Sequence, residues 1–444
     1  MSKILSPAQI QSYGSFLQKC INMNALDEGK RAFFHITSNG FKADLSLNNL
    51  MLDLYVKRGC MTQAHDFFNG LVEKNTCTWE CMLEGCKEHG QWKELMTLFG
   101  DMESEGLTPN QHICIMFLGA CAQVSSLRSG MAMHACVIKH GHIMDMNLMS
   151  SLISMYAKCG SLLEAKMLFE QLPVRSVIPW TSLITGYADN GFIEEVLSLL
   201  EAMKGDGIAP VSITFLCIFR ACGYERGALG TGQEMHSLAL KMGLEMDESV
   251  GTSLIDMYSK CGALKKAREI FDELPVKNVA SWSALIAGYA ENGLGKEALD
   301  CFMQMKKEGL SPDAVTFVCI LKACCNIESV EIGQQIHNEV EKQGFLEENV
   351  VLGNAIIDMY VRCGRLLKAR EVFDEIPVRN AISWNVLIDG YVQHGHNAEA
   401  MICCNEMQEN GLLPDAITFS CILKACGSLG LAGKGEEIHA EINK

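Results

Sequence analysis

The stretch ASWSALIAGYAENGLGKEALDCFMQMKKEGLSPD, residues 280–313, decides the fold. Two sets of apolar residues keep the i, i+3, i+4, i+7 spacing of a helix face: Trp282, Leu285, Ile286 and Tyr289, then Ala298, Phe302 and Met305. Gly293 lies between the sets and suits the end of a first helix, and Pro312 with Asp313 marks a turn into the next segment. The stretch therefore predicts a helical hairpin.

The same pattern recurs along the chain at a fixed period. Tryptophan returns at intervals of 101, 102 and 102 residues, at Trp79, Trp180, Trp282 and Trp384. Two cysteine ladders keep this period, at Cys159, Cys261 and Cys363, and at Cys20, Cys121, Cys222, Cys324 and Cys426. Each period divides into three related units of 35 or 36, 31 and 35 residues. Self-similarity of this kind is the signature of a repeat architecture.

The units predict the organisation of the whole chain. A short lead at residues 1–9 precedes twelve tandem repeats in long, short and standard triplets at residues 10–415, and a thirteenth, long-type repeat at residues 416–444 stops before its closing turn. A lone hairpin cannot bury its apolar face, so neighbouring hairpins must stack. We expect an all-α, right-handed superhelical solenoid of helix-turn-helix, tetratricopeptide-like repeats with a long concave surface.

Composition limits the possible partners. The 444 residues are 48% hydrophobic and 20% charged, as in an ordinary folded protein. The 21 cysteines are diluted over a long chain without a signal peptide, which favours a reducing compartment, and no apolar run is long enough to predict a membrane span. The net charge of −16 counts against nucleic acid, because such binders usually carry a basic footprint. Bound RNA would need local positive stripes or direct base contacts.

The repeat motifs resemble the pentatricopeptide repeat (PPR) family over nearly the whole chain. Residues 253–278, SLIDMYSKCGALKKAREIFDELPVKN, resemble its short repeats, and residues 280–313 resemble its standard repeats. The order of long, short and standard repeats resembles the plant PLS-type arrays, without a recognisable C-terminal E or DYW deaminase domain. The resemblance implies sequence-selective binding of single-stranded RNA. It also implies a role in organellar RNA processing, namely site recognition for C-to-U editing with a separate deaminase or editing-complex protein.

The resemblance also implies which residues read the RNA bases. In the family, the fifth and last residues of a repeat select the base, and the second residues of adjacent repeats sandwich it. The pair Asn385 and Asp415 resembles a uracil reader, Ser283 and Asp313 a guanine reader, and Thr252 and Asn278 an adenine reader. Two further pairs resemble pyrimidine readers: Asn354 with Asn380, and Asn49 with Asn75.

Other repeats depart from the family's pattern. The long repeats carry side chains without a hydrogen-bonding group at the fifth position: Gly14, Ile115, Leu216 and Val318. We expect these repeats to act as spacers that do not select a base. Two more pairs, Glu80 with Asn110 and Thr181 with Val211, miss the usual combinations, and the pair Ser150 with Ser176 is ambiguous.

Each recurring residue type also has a structural interpretation. Asn385 and its counterparts could be helix N-terminal residues. The four tryptophans could stack on bases, although core packing suits their place on the amphipathic face better. The cysteine ladders, and a histidine ladder at His134, His236, His337 and His439, follow the repeat register, and no CxxC pair occurs. We therefore expect no metal site, no cofactor and no catalytic residue.

Two predictions remain from the sequence. The rival function is a protein-binding helical-repeat scaffold, which the acidic charge favours. The position of the Lys and Arg residues relative to Asn385 and Ser283 separates the two functions. Mitochondrial localisation is expected from the resemblance, with the chloroplast as the alternative, although no transit peptide is visible before Ile10.

Overall fold

The computed structural model describes residues 3–4, 6–23, 25–38, 41–42, 44–139, 145–225, 227–244, 247–346 and 349–442. Residues 1, 2 and 5 of the predicted lead and residues 443–444 of the predicted thirteenth repeat lie outside this range. Helices account for almost all regular structure within it, so the all-α prediction is confirmed. A parallel pair of two-residue strands, β1 Lys3–Ile4 and β2 Phe41–Lys42, is the exception among the described residues.

The helices alternate between two roles. The first helices of the hairpins are α1 Pro7–Met23, α3 Leu45–Lys57, α5 Thr76–Glu88, α7 Gln111–Gln123, α9 Met146–Lys158, α11 Val177–Asp189, α13 Ser212–Tyr224, α15 Glu248–Lys260, α17 Val279–Glu291, α19 Ala314–Asn326, α21 Val350–Arg362, α23 Ala381–Gln393 and α25 Ala416–Leu429. The second helices are α2 Leu26–Ser38, α4 Met61–Gly70, α6 Trp92–Ser104, α8 Leu127–Lys139, α10 Leu162–Glu170, α12 Ile193–Gly205, α14 Leu229–Lys241, α16 Leu264–Glu273, α18 Gly295–Lys307, α20 Val330–Lys342, α22 Leu366–Glu375, α24 Asn397–Glu409 and α26 Ala432–Ile442.

Local sequence explains where these helices begin and end. Helix α19 begins after Asp313, whose carboxylate accepts a hydrogen bond from the backbone amide of Thr316 at 2.8 Å. This satisfies one of the amides that the first turn leaves unpaired. Helix α17 ends at Glu291, and Gly293 follows with φ +78°, the left-handed conformation that glycine adopts without steric cost. The glycine and the turn predicted for residues 280–313 are thus confirmed.

The chain forms two compact units, residues 1–217 and 218–444, with the same internal packing. In the first unit, α3 packs on α5, α5 on α7, α7 on α9 and α9 on α11. In the second unit, α15 packs on α17, α17 on α19, α19 on α21, α21 on α23 and α23 on α25. The first helices therefore form a continuous layer in each unit, and the second helices cover one side of it.

The tryptophans belong to the core. Trp79, Trp180, Trp282 and Trp384 are at most 3% exposed. Each meets a phenylalanine of the preceding second helix edge to face, as Trp79 meets Phe68 with ring centroids 4.8 Å apart. Such pairs add about 0.5–1.5 kcal/mol beyond their burial. Core packing is confirmed, and a base-stacking role for these side chains is wrong because no face is left open.

The histidine ladder also joins helices. His134 Nδ1 lies 2.9 Å from the Tyr156 hydroxyl, and the same contact recurs between His236 and Tyr258 at 3.0 Å. A third copy joins His337 and Tyr360 at 3.2 Å. Burial lowers the pKa of each of these three histidines, which favours the neutral ring. The structural interpretation of these three ladder positions is confirmed.

Glycines let the same helices approach closely. A Cβ on Gly130 would lie 2.3 Å from Met155 Sδ, and one on Gly333 would lie 2.4 Å from Met359 Sδ. No real Cβ atom tolerates that distance, so a side chain at either glycine would force the facing methionine side chain to move. Among the described residues, no helix combines the length and hydrophobicity that a transmembrane segment requires.

Candidate nucleic-acid interface

In each of the five repeats with a predicted base-reading pair, the last residue caps the first helix of the next repeat. Five side chains do so by accepting a hydrogen bond from a backbone amide of the first turn: Asn75, Asn278, Asp313, Asn380 and Asp415. The structural interpretation of the sequence had offered the capping role to Asn385 and its counterparts, and that assignment is wrong. Asn385 lies inside α23, more than a turn from the cap residue Asn380.

The pair Asn385 and Asp415 is fully assembled. Asn385 Nδ2 donates to Asp415 Oδ2 at 2.9 Å. The hydroxyl of Thr418 donates to Asn385 Oδ1 at 2.6 Å and lies 3.1 Å from Asp415 Oδ1. Hydrogen bonds from the Thr418 amide, and from the Thr418 and Asn385 side chains, lower the pKa of the Asp415 carboxyl. The tertiary structure therefore fixes both members of this predicted pair in one network.

Two other pairs share this network in modified form. Asn49 Nδ2 lies 3.4 Å from Asn75 Oδ1, and the Thr78 hydroxyl donates to Asn49 Oδ1 at 2.7 Å. Ser283 is shorter and does not reach Asp313. Its hydroxyl lies 2.6 Å from the Thr316 hydroxyl, which donates to Asp313 Oδ1 at 2.7 Å.

In the remaining two pairs, no hydrogen bond joins the two members within the described residues. Thr252 donates to the carbonyl of Glu248 in its own helix at 2.9 Å, and Asn278 Nδ2 donates to the Glu248 carboxylate. Asn354 is 8% exposed, and its Oδ1 is buried without a hydrogen-bond partner, while Asn380 caps α23. The structure thus holds three of the five predicted pairs in direct or bridged networks and leaves two apart.

The bridging hydroxyls are the residues that the sequence analysis missed. They belong to a set of third-position residues that are at most 1% exposed: Thr78, Ser281, Thr316, Ser383 and Thr418. Of these, Thr78, Thr316 and Thr418 bridge to the fifth residue of the preceding repeat. A sequence signal for them exists, because a serine or threonine three residues after an Asn or Asp cap is a capping-box pattern. Capping alone explains the pattern, so only the structure reveals the second contact to the preceding repeat.

Exposed aliphatic side chains flank the cap residues. They occupy the second position of their repeats, are between 54% and 65% exposed, and are Ile178, Ile213, Val315, Val351, Ile382 and Ile417. Each is the second residue of a first helix and lies next to the capped first turn. These side chains offer apolar contacts beside Asp313, Asn380 and Asp415, whereas Cys77 and Ala280 occupy this position after Asn75 and Asn278.

The remaining pairs, which the sequence does not assign to a base, form hydrogen bonds within the protein. Asn110 Nδ2 donates to Glu80 Oε2 at 3.2 Å. Thr181 and Ser150 donate to carbonyls four residues earlier in their own helices, at 2.8 and 2.7 Å. The backbone thus takes the hydroxyl protons that a base edge would otherwise accept.

Charged residues line the same layer of first helices, nearer the C-terminal ends of the helices. Lys260 pairs with Asp256 at 2.7 Å, and Arg362 pairs with Asp358 at 2.9 Å. Lys322 Nζ lies 3.7 Å from Glu291 Oε1 of the preceding first helix. The cations are therefore on the helix layer that carries Asn385 and Ser283, but these three have carboxylate partners. The layer is of mixed charge rather than basic.

This architecture defines a class: stacked helical hairpins whose first helices carry a repeated polar pair. The chain matches the family models described as PPR repeat family at residues 277–326 and 379–428, and PPR repeat at residues 49–76, 77–107, 148–177, 178–208, 252–279 and 354–380. These matches cover more than half of the chain. The protein belongs to the pentatricopeptide repeat family, as the resemblance implied.

Relatives and solved structures agree with this assignment. A pentatricopeptide repeat-containing protein of Arabidopsis thaliana is 36% identical over 91% of this chain and 48% of its own length. A second one is 32% identical over 97% of this chain and 70% of its own length. Two further relatives are named mitochondrial and chloroplastic. The chain thus spans about half the length of the first of these relatives.

The fold resembles that of the pentatricopeptide repeat protein PPR10 from maize. Its crystal structure matches with a TM-score of 0.67 at 18% identity, over 98% of this chain and 64% of that one. The structure of PPR10 in complex with an 18-nucleotide psaJ RNA element matches with a TM-score of 0.52 at 17% identity, over 96% and 72% of the two chains. At these identities the match concerns the fold alone, and it confirms the predicted helical-repeat solenoid.

Proposed function

We propose that this protein binds single-stranded RNA selectively through the polar pairs of its first helices, in a plant mitochondrion or chloroplast. The observation that carries the proposal is the arrangement of a fifth-position side chain, a cap residue and a bridging hydroxyl, which recurs at Asn49, Ser283 and Asn385. The bound RNA of the maize protein and the organellar names of two relatives support it.

The geometry suits base recognition. Asn385, Asn354 and Ser283 are at most 8% exposed, whereas their partners Asp415 and Asn380 are exposed. A base would therefore meet the cap residue first and the fixed amide or hydroxyl behind it. The unpaired Oδ1 of Asn354 is a buried acceptor whose desolvation a base donor would offset. Exposed aliphatic side chains such as Val351 and Ile382 could cover the two faces of that base.

The charge pattern explains how an acidic protein could bind RNA. A net charge of −16 repels phosphates at long range, and Lys260 and Arg362 are held by carboxylates. Affinity would then come more from base contacts than from counterion release, and its dependence on salt would be shallow for an RNA-binding protein. The same charge pattern favours the rival function, a scaffold that binds a basic protein segment.

The test is selection from a randomised single-stranded RNA pool at near-physiological salt, with the wild-type chain and Asn385→Ser. We expect a motif with uracil at the position read by Asn385 and Asp415, which shifts toward guanine in the variant because the pair then resembles Ser283 with Asp313. Each good polar pair should contribute about 1–3 kcal/mol, or roughly 5- to 150-fold between bases.

A matched control is Asn405→Ser, which makes the same change on the exposed side of α24 in the same repeat. It should leave the motif unchanged. Absence of any enriched motif for the wild-type chain would refute RNA recognition by this chain, and binding of basic peptides would then support the scaffold.

We further propose that the bound site marks a cytidine for C-to-U editing by a separate deaminase or editing-complex protein. The chain itself would select the site on the RNA, and the separate protein would catalyse the conversion. Plants lacking the protein should lose conversion at a transcript that carries the selected motif. Normal conversion together with altered cleavage or abundance of that transcript would reject editing and leave RNA recognition standing.

A further inference from the structure

Three potential metal ligands meet where the second repeat contacts the third. His65 lies on α4, Cys86 near the end of α5, and Glu94 in the first turn of α6. His65 Nε2, Cys86 Sγ and a Glu94 carboxylate oxygen all lie within 4.8 Å of one another. His65 Nε2 and Glu94 Oε1 are 3.1 Å apart. No residue of this cluster belongs to the proposed base-reading pairs.

At two positions, the cluster has residue types that differ from those of the other repeat triplets. Counting from the buried phenylalanines and tryptophans of the other triplets, the counterparts of His65 are Lys166, Arg268 and Arg370, and those of Cys86 are Tyr187, Tyr289 and Tyr391. The counterparts of Glu94 are also glutamates, at Glu195, Glu297 and Glu399. Register explains the cysteine ladders, but it does not explain Cys86. His65 thus stands in place of a lysine or arginine, and Cys86 in place of a tyrosine. Histidine and cysteine are both metal-ligating residue types.

One buried polar atom of the cluster, and one on a neighbouring segment, lack ordinary partners. His65 Nε2 is buried and makes no hydrogen bond of acceptable geometry, despite its short distance to Glu94. Gln91 Oε1, on the segment that leads into α6, is likewise buried without a hydrogen-bond partner. Unsatisfied buried groups of this kind usually cost about 1–3 kcal/mol each, unless water, an ion or a ligand satisfies them.

We infer that His65, Cys86 and Glu94 form a Zn²⁺ site with three protein ligands. An imidazole nitrogen, a thiolate sulfur and a carboxylate oxygen are all ligand types that Zn²⁺ accepts, and a water would complete the tetrahedron. Ligand atoms bound at about 2.0–2.3 Å in a tetrahedron lie roughly 3.3–3.8 Å apart. His65 Nε2 and Glu94 Oε1 lie 3.1 Å apart, close to this range, and all three ligand atoms lie within 4.8 Å of one another, so side-chain rotations would be needed to close the site.

The thiol proton is the main obstacle to binding. Burial, and to a lesser extent the negative charge of Glu94, raises the pKa of the Cys86 thiol to about 12. Zn²⁺ would have to displace this proton, and it would then replace the repulsion between sulfur and carboxylate with attraction to one cation. Because α4 belongs to one repeat and α5 with α6 to the next, the ion would stiffen that joint.

The experiment is a titration of the reduced, metal-free chain with Co²⁺, which reports thiolate ligation and tetrahedral geometry by its absorption. The wild-type chain should take up one equivalent with a thiolate-to-cobalt band, and added Zn²⁺ should displace it and raise the melting temperature. The double variant His65→Lys, Cys86→Tyr installs the residues of the next triplet, Lys166 and Tyr187, and should lose both effects.

Two further variants keep the test decisive. Cys77→Ser removes an exposed thiol from the same helix, α5, and should bind like the wild type. His65→Gln removes one ligand with little change in volume, and it decides the question if the double variant does not fold. Equal cobalt uptake and equal stabilisation by Zn²⁺ in the wild type, the double variant and His65→Gln would overturn the inference.

Discussion

Two polar pairs at the same register, Asn385 with Asp415 and Thr252 with Asn278, have different internal structures. Asn385 reaches across to the next repeat and is held there by Thr418 at 2.6 Å. Thr252 turns back to the carbonyl of Glu248, four residues earlier in its own helix. Both partners cap the next first helix, so capping does not cause the difference. Side-chain length does not decide it either, because the Oδ1 of Asn354 has no hydrogen-bond partner within the described residues, whereas the shorter Ser283 is bridged to Asp313. The difference lies in whether the fifth side chain forms its hydrogen bonds with the next repeat or within its own helix.

The largest expected effect comes from breaking the assembled pair with Thr418→Val, a change of nearly equal shape. Asn385 Oδ1 would lose its 2.6 Å donor at a site where both side chains are at most 6% exposed. An acceptor left unpaired in such a place costs about 1–3 kcal/mol. We expect a loss of that size in the free energy of unfolding measured with urea, and weaker discrimination for uracil.

The matched control for this change lies in the other pair. Ser281 occupies the position of Thr418, but its hydroxyl bonds only the backbone of Asn278 and not Thr252. Ser281→Ala should therefore leave the base preference of the Thr252 and Asn278 pair unchanged. An equal change of base preference in both variants would show that the hydroxyls act only through helix capping.

A smaller effect is expected from converting the loose pair into an assembled one with the double variant Thr252→Asn, Ser281→Thr, which installs the residue types of the Asn49, Asn75 and Thr78 network. The new amide should accept a hydrogen bond from the new threonine hydroxyl, as Asn49 Oδ1 accepts from Thr78 at 2.7 Å. Under the proposed function, the repeat should move from adenine toward a pyrimidine, by about 1 kcal/mol or roughly fivefold. Binding to RNAs that differ at this one base would measure the shift, and unchanged adenine preference would contradict it.

The smallest expected effect is a pH dependence that the Asp415 pair has and the Asn278 pair lacks. Hydrogen bonds lower the pKa of Asp415 below its ordinary value of 3.8. The unfolded chain then binds the proton more readily, so this carboxylate contributes stability above pH 3.8 that is lost as the pH falls through its folded-state pKa. Asn278, its counterpart, does not titrate in this range.

Urea unfolding of the wild type and Asp415→Asn between pH 7 and pH 3 measures this contribution. The difference in unfolding free energy between the two proteins should shrink toward the acid end, by a few tenths of a kcal/mol because the carboxylate is exposed and solvent screens it. A constant or growing difference would mean that Asp415 acts through its shape and not through its charge.

Much of the fold could be read from the sequence because its determinants are local. The spacing of Trp282, Leu285, Ile286 and Tyr289 specified a buried helix face, and Gly293 specified a helix end. The recurrence of these residues specified the stacking of hairpins. The division into a lead, twelve repeats and a thirteenth repeat stays a prediction, as do the base-reading roles.

The candidate site was predicted less completely. The register placed Asn385 with Asp415 correctly, but it gave no warning that Asn354 and Asn380 would remain apart. It also missed Thr418 and its counterparts, because an Asn or Asp followed by a hydroxyl three residues later is already explained by capping. The second hydrogen bond of that hydroxyl joins it to the preceding repeat, and no sequence periodicity predicts this bond.

The sequence by itself determined the helices, their caps and their stacking, since backbone hydrogen bonding and apolar periodicity act between residues within a few positions of each other. Only the tertiary structure decided which polar side chains meet. It showed that Asn385 bonds to Asp415 whereas Thr252 turns back into its own helix. It also brought together His65, Cys86 and Glu94, which share no local motif. Such contacts depend on the conformation of each side chain and on the gap between two helices, and neither can be read from the order of residues along the chain.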